Sequence, residues 1–313
     1  MPTTYAHYRL GTEVLKKVSP EAGKIIREHP DLFNYGVHGP DLLFYYNALS
    51  RNRVNEEGSR LHDHPGAYFF QRAADILREK ERELNREDGA DPQGSVDSRE
   101  NGRRKKTEGP ELTGEELEAA YSYIYGFLCH FALDVCCHGY VQEIIDSSGI
   151  THSEIEAELD REFLVRDGKD PVRQKLTGHL KPSEEGARVI SLFYEGIGEA
   201  EIHKAMKDMV MYLNLLVLPG RFKRGIILWI LKVSGHYESK HGLIINYEKN
   251  PDCADGTERL IGLYQKAVDL AAEWIDGFRA VVRGEAGLPE AFRYNFSSKL
   301  PGTETVYKAD QRG

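Results

Sequence analysis

Side chains that could bind a metal recur at regular intervals between residues 129 and 138. His130, Asp134 and His138 are spaced four residues apart, so on a helix they share one face within an arc of about 80°. The neighbouring side chains are apolar and predict a buried helix, in which an unpaired carboxylate would be costly. Gly126, one turn earlier on that face, leaves room beside it. This pattern predicts a metal site, and a hydrogen-bonded Asp–His pair in the core is the alternative.

A second pair of candidates, His152 and Glu156, has the same four-residue spacing. From such positions both side chains can reach one ion, as on metal-binding helices in general. Taken alone, a solvated His–Glu pair on the surface is the commoner interpretation. However, a short turn at residues 147–149 follows His138 and can fold the second helix back against the first. We therefore include both residues among the predicted ligands.

Isolated candidates lie upstream of these two helices. Asp41 follows a Gly-Pro pair at a predicted helix start, where metal binding and the helix dipole are equally good reasons for a carboxylate. His62 and His64 lie in a polar segment of a kind that is usually only solvated, and His7 precedes the first predicted helix. Together the candidates supply only nitrogen and oxygen atoms. Such a ligand set indicates zinc first, with iron and manganese as alternatives.

The composition limits the classes of function. The 313 residues include 50 acidic and 41 Lys or Arg side chains, which gives a formal net charge of −9 and argues against a stable nucleic-acid complex. Four cysteines in a chain of this length do not make a disulfide scaffold. No secretory signal is visible, and the apolar stretches 209–218 and 226–233 are shorter than the roughly 18 residues of a membrane span. We therefore predict a cytoplasmic protein without a transmembrane segment, of undetermined oligomeric state.

Helical periodicity dominates the chain and predicts an all-α fold, in a single domain over residues 1–313. Thr113 with Glu116, and Thr151 with Glu154, form predicted capping boxes. The polar segment 85–110 predicts a disordered loop within the domain, because candidate ligands lie on both sides of it. Helices are predicted over about 12–28, 65–83, 113–145, 183–196, 201–218, 223–233 and 256–286, with a further helix start at Gly39-Pro40.

A basic cluster at residues 221–224 lies beside Trp229. It could contact an anionic surface, because clustered Lys and Arg side chains attract such surfaces. The charged edge of a helix is the commoner interpretation of such a cluster, so the sequence leaves this point open.

Two short motifs extend the histidine and carboxylate pattern. They read Ala6-His-Tyr-Arg-Leu-Gly11 and Gly39-Pro-Asp-Leu-Leu-Phe-Tyr-Tyr46. With these motifs the chain resembles the zinc-dependent phospholipase C family, which includes bacterial phosphatidylcholine-cleaving enzymes and the catalytic domain of clostridial alpha-toxin. It is most similar to an intracellular, mostly uncharacterised branch found in Gram-positive bacteria. The resemblance covers roughly residues 5–160 with specific motifs and continues weakly beyond them.

The resemblance implies an all-α bundle, shared with single-strand nucleases, that holds zinc ions in a cleft. His62 is implied rather than His64, since it precedes a Pro-x-x-Phe/Tyr stretch at the expected distance. The secreted enzymes hold a third ion with an amino-terminal tryptophan, whereas this chain begins with Met1-Pro2. We therefore expect two zinc ions, and a third ion only if the chain's own amino terminus helps to bind it. The first implied site is formed by Asp41, His62, His130 and Asp134, with Asp134 bridging to a neighbouring ion. The second is formed by His138, His152 and Glu156. The third shares Asp134 and adds His7 and the amino terminus.

The implied reaction is phosphodiester hydrolysis by a zinc-activated water attacking phosphorus in line. Asp41 is the expected catalytic residue, which would bind zinc and orient or deprotonate the water, and a phospholipid is the expected substrate. A nuclease-like hydrolase acting on nucleotide diesters is a second hypothesis. A third is a non-catalytic metal-binding or interaction protein with one structural zinc, and a fourth is a metal-free protein in which the His and acidic groups merely pair.

Overall fold

The structure is a computed structural model that describes residues 4–88, 113–235, 237 and 241–309. Within these residues the chain forms helices and no β-strand, only two isolated bridges, so the predicted all-α fold is confirmed. The 3-10 helices are Gly39–Tyr45, His241–Leu243, Pro251–Cys253 and Glu290–Arg293. The α-helices are α1 (Thr4–Val14), α2 (Pro20–Glu28), α3 (Pro30–Gly36), α4 (Arg53–Asp63), α5 (Gly66–Asp88), α6 (Gly114–Ser148), α7 (His152–Arg166), α8 (Glu184–Ser191), α9 (Glu199–Leu215), α10 (Arg221–Val233) and α11 (Ala254–Arg283).

Helix α6 is the central element of the bundle. Every residue from Ala119 to Cys137 is buried, and α1, α2, α3, α5, α7 and α11 all pack against it. The predicted capping box is confirmed, because Thr113 Oγ1 accepts from Glu116 N while Thr113 N donates to the Glu116 carboxylate. The helix ends where Gly149 takes a φ of 72°, a left-handed conformation that glycine adopts without strain.

In the described part of the chain, α6 is also the one helix long and apolar enough to cross a membrane. However, 83% of its most apolar window is buried inside the protein. Length and apolarity of this kind are also typical of the core helix of a bundle, and the packing around α6 accounts for both.

Two facing glycines let α3 approach α6 closely. A Cβ atom on Gly126 would lie 2.2 Å from the carbonyl oxygen of Phe33, and one on Gly36 would lie 2.1 Å from that of Tyr123. Three residues after α3 ends, Gly39 has a φ of 49° and lies so close to α6 that a Cβ there would overlap the His130 ring. This approach places the 3-10 helix that carries Asp41 directly against α6.

The prediction of one helix over residues 12–28 is wrong. Helix α1 begins at Thr4 and ends at Val14, and α2 begins only at Pro20, after Ser19 caps it by accepting from Ala22 N. A Ser-Pro pair is an ordinary helix start. The early start of α1 depends instead on a distant partner, because Asp160 accepts hydrogen bonds from two of its first backbone amides. His7 therefore lies inside α1 and not before the first helix.

Two helix boundaries and one cap also differ from prediction. Residues 85–88, predicted as loop, form the last turn of α5, while residues 89–110 of the predicted loop lie outside the described residues. The helix predicted over 183–196 ends at Ser191. At the start of α7, Thr151 caps Glu154 N as predicted, but the Glu154 side chain accepts from Asn250 and does not complete a capping box.

Candidate metal centre

The three predicted ligands of α6 point into one buried space. His130 Nε2 lies 3.2 Å from Asp134 Oδ2, and His138 Nε2 lies 3.8 Å from Asp134 Oδ1. His130 and Asp134 are buried, and His138 is only slightly exposed. The four-residue spacing thus produces the predicted common face, with the Asp134 carboxylate between two imidazoles.

Helix α1 adds a third imidazole to Asp134. His7 is buried, and its Nε2 lies 3.4 Å from Asp134 Oδ1. The His7 and His130 rings stack with their centroids 4.4 Å apart. Asp134 is therefore surrounded by nitrogen atoms from two helices.

Asp41 and His62 reach the cluster from the side of α3 and α4. His62 Nε2 lies 3.1 Å from Asp41 Oδ1, and His130 Nε2 lies 4.0 Å from Asp41 Oδ2. His62 Nδ1 donates to the carbonyl oxygen of Gly58 over 2.7 Å. Since that bond holds the proton on Nδ1, the lone pair of Nε2 is free to bind a metal.

Helix α7 completes the arrangement at the other end of Asp134. Glu156 Oε1 lies 3.0 Å from His152 Nε2 and 3.3 Å from His138 Nε2. His138 Nδ1 donates to the carbonyl oxygen of Phe296 over 2.5 Å, which again leaves Nε2 for a ligand. The turn lies at residues 149–151 and not at the predicted 147–149, because α6 continues to Ser148, and it folds α7 back against α6 as predicted.

The eight predicted ligands form three groups that could each hold a cation, and two of these groups share a residue. Within each group the ligand atoms lie no more than 4.8 Å apart. The group of His138, His152 and Glu156 coincides with a predicted site. Asp41 and Asp134 are predicted in one site, but they fall into two groups that share His130. The chain's amino terminus, predicted to support a third ion, lies outside the described residues. The groups are Asp41, His62 and His130; His7, His130 and Asp134; and His138, His152 and Glu156.

Unsatisfied polar atoms indicate that a cation fits here. His130 Nε2, His7 Nδ1 and Glu156 Oε2 are buried and make no hydrogen bond. Buried polar atoms are nearly always hydrogen-bonded, so such a concentration needs an explanation. A cation would satisfy these ligand atoms and neutralise the buried carboxylates, and a set of imidazoles and carboxylates suits zinc.

A comparison with known families agrees with this donor set. The family model described as zinc dependent phospholipase C matches residues 6–207, about two thirds of the chain. The chain belongs to this zinc-dependent phospholipase C family. The matched range runs from α1 into α9 and contains all eight candidate ligands. No curated protein and no solved structure matches the chain.

The electrostatics of this cluster favour charged carboxylates. Burial raises the pKa of Asp134, but His130 and His138 lower this pKa by more than burial raises it, so that it lies well below its usual value. The pKa of Glu156 is lowered in the same way by His152 and His138. For His138, burial lowers the pKa, yet Asp134 and Glu156 outweigh this and raise it to about 9. A zinc ion must therefore displace a proton from His138, so protons compete with the metal.

His64 lies apart from the cluster. Its Nδ1 bonds to the carbonyl oxygen of Arg60 over 2.8 Å, and its ring lies 4.6 Å from that of Tyr68. It belongs to none of the three ligand groups, whereas His62 does. The geometry therefore agrees with the choice of His62 over His64.

We expect His62→Ala to weaken metal binding and to lower kcat/KM by at least about 100-fold, since even residues that only support a metal ligand are worth about 10- to 100-fold. His64→Ala, two residues away, is the matched control and should stay within about twofold of the unmodified protein, because the side chain lost is a half-buried surface group. Elemental analysis and hydrolysis rates of both variants check this. If His64→Ala lost more metal and activity than His62→Ala, His64 would be the ligand.

Asp160 is a supporting residue that the sequence reasoning missed. Its two carboxylate oxygens accept from Ala6 N at 2.7 Å and from Tyr5 N at 3.0 Å, next to His7. Burial raises its pKa to about 7, although these two amides act in the opposite direction. The available signal was its position four residues after Glu156, which repeats the ligand spacing along α7. Asp160 thus fixes the start of α1 and with it the place of His7.

A cleft opens beside Glu156 and Asp160. It is also lined by Tyr45 and by apolar side chains that include Leu213, Leu216 and Ile245. The cleft therefore combines one member of the ligand cluster, Glu156, with a largely apolar lining. A substrate with a polar head and an apolar tail fits this distribution of polarity.

Proposed function

We propose that this protein is a zinc-dependent phosphodiester hydrolase that cleaves phospholipids as a phospholipase C does. The observation that supports this most is the cluster of five imidazoles and three carboxylates, in which the carboxylates, His7 and His130 are buried. It is contributed by α1, α4, α6, α7 and the 3-10 helix at residues 39–45. Family membership gives the class, a zinc-dependent phospholipase-like hydrolase. The ligand assignment, the substrate and a content of two zinc ions, or three with the amino terminus, belong to the proposal.

Zinc bound at such a site lowers the pKa of a coordinated water and neutralises charge that develops on phosphate oxygens. Asp41 is suited to orient the attacking water and to accept its proton on a carboxylate oxygen. Burial raises the pKa of Asp41, but His130 and His62 outweigh this and keep it below its usual value. The carboxylate is thus available as an acceptor at neutral pH. Asp134 and Glu156 would hold the imidazoles and the metal in place.

The shape of the cleft supports a lipid substrate over a nucleotide one. Its lining is largely aliphatic, with Leu213, Leu216 and Leu243 among it, and Tyr45 is the one aromatic side chain among the described residues that line it, whereas sites for bases usually offer several aromatic rings for stacking. The net charge of −9 also opposes the approach of a polynucleotide. A nucleotide diester remains the second substrate class to be tested, because the same metal chemistry would cleave it.

Metal content and turnover together test the proposal. We expect at least two zinc ions per chain, because hydrolysis of this type uses paired metals, together with cleavage of bis-para-nitrophenyl phosphate and of a phosphocholine analogue. A chelator should abolish turnover, and added zinc should restore it. One tightly held zinc without turnover would instead support a structural role. Less than one metal per chain, after growth with added zinc, would rule out the metal centre.

A further inference from the structure

Helix α10 presents a continuous apolar stripe to solvent. Phe222, Trp229 and Val233 are 84%, 65% and 68% exposed, and Ile226 and Ile230 are exposed as well. On a helix, these five positions all lie within an arc of about 100°, because they are spaced three or four residues apart along one face. A stripe of this kind normally faces a protein core, yet in α10 only Arg224 is buried. The stripe is therefore a candidate interaction surface.

Basic residues border this stripe on both sides. Arg221 and Lys232 lie along one edge and Lys223 along the other, each about 80–100° from the first stripe position, Phe222. Helix α10 contains no acidic residue, although the chain as a whole has a net charge of −9. An apolar stripe with flanking Lys and Arg and a tryptophan is typical of helices that lie in the interface of an anionic bilayer.

The back of the helix is anchored to the protein. The buried Arg224 donates to the carbonyl oxygen of Ile245 over 2.8 Å and to Asn246 Oδ1 over 3.1 Å, and its guanidinium stacks on the Tyr247 ring. Arg224 lies on the helix face opposite the stripe, so these bonds hold the apolar side chains outward. The exposure of the stripe is thus built into the fold.

The position of α10 relates it to the cleft. The segment that precedes the helix contributes Leu216 and Leu218 to the cleft wall, and the segment to which Arg224 bonds contributes Ile245. A surface that binds α10 would therefore lie next to the two segments that line the cleft.

We propose that α10 docks the protein on anionic phospholipid bilayers, with Phe222 and Trp229 inserted at the interface and Lys223 and Lys232 facing acidic headgroups. Docking itself does not depend on metal chemistry. Only its consequence, delivery of a lipid to the cleft, rests on the proposed function.

Vesicle binding tests this directly. The chain has two tryptophans, and Trp274 is buried in the core, so a change in emission on adding vesicles reports on Trp229. With vesicles of equal parts phosphatidylcholine and phosphatidylglycerol we expect a blue shift and co-sedimentation, both weakened by salt. With pure phosphatidylcholine the binding should be at least about tenfold weaker. The lipid is analysed after each run to record any hydrolysis.

Paired variants identify the surface. Phe222→Ser with Trp229→Ser should lower co-sedimentation with the mixed vesicles at least about tenfold, and Lys223→Glu with Lys232→Glu should do the same while leaving the apolar stripe intact. Leu49→Ser, which removes another exposed apolar side chain, is the control and should bind as the unmodified protein does. Hydrolysis of a soluble diester should be unchanged in all three.

Three results would decide against the docking proposal, change its occupant, or contradict the proposed function alone. Absence of binding to the mixed vesicles, or binding that neither α10 variant weakens, would exclude membrane docking by this helix. A dimer that disappears in the serine variant, in the absence of vesicle binding, would make a second copy of the chain the occupant. Vesicle binding without any diester hydrolysis would leave the docking in place and contradict the proposed enzyme, so the two failures can be told apart.

Discussion

Asp134→Asn is expected to abolish both zinc binding and hydrolysis while the helical fold persists. The Asp134 carboxylate lies within 4 Å of imidazole nitrogens from His7, His130 and His138. An amide has nearly the same shape, but it lacks the negative charge that a cation and these imidazoles need. We expect a loss of at least about 1,000-fold in kcat/KM, which corresponds to about 4 kcal/mol of transition-state stabilisation. Elemental analysis, hydrolysis of bis-para-nitrophenyl phosphate and circular dichroism measure the three effects.

The matched control is Asp208→Asn. Asp208 is also a buried carboxylate, but it accepts from Asn47 N and pairs with Lys204, in none of the three ligand groups. Its substitution should cost some stability and leave metal content unchanged. If Asp134→Asn retained full metal content and activity, the assignment of this carboxylate to the metal centre would be wrong.

Gly126→Ala is expected to destabilise the fold by about 3 kcal/mol or more, at the upper end of overpacking substitutions. The new Cβ would meet the backbone of α3 at Phe33 and Gly36, and backbone cannot move aside as a flexible side chain can. The change should also weaken zinc binding, because α3 leads into the segment that carries Asp41. Denaturant unfolding and metal analysis of the variant check both effects.

The same substitution elsewhere provides the control. Gly277 lies exposed within α11, and a Cβ there would have nothing within 4 Å. Gly277→Ala should therefore stabilise the protein by roughly 0.5–1 kcal/mol, because alanine loses less conformational entropy in a helix than glycine does. The two variants should thus shift stability in opposite directions. Equal stability of Gly126→Ala and the unmodified protein would contradict the close approach of α3 to α6.

The sequence determined the parts of this protein that depend on local geometry. A helix fixes residues four apart on one face through its own backbone hydrogen bonds, so the face shared by His130, Asp134 and His138 could be predicted. The pairing of His152 with Glu156, the capping of α6 by Thr113 and the all-α class follow from the same local periodicity. The resemblance assigned Asp41 and His62 to a metal site, whereas the local context left the role of Asp41 open and favoured a solvated His62.

The tertiary structure decided what depends on partners distant in the chain. Helix α1 starts at Thr4 because Asp160, more than 150 residues later, accepts its first amides, and this puts His7 inside a helix. The approach of α3 to α6, set by two glycines, brings Asp41 to His130. The sequence leaves open whether the basic residues beside Trp229 contact an anionic surface. Only the packing shows that the apolar stripe of α10 faces solvent, because helical periodicity defines a face but not what covers it.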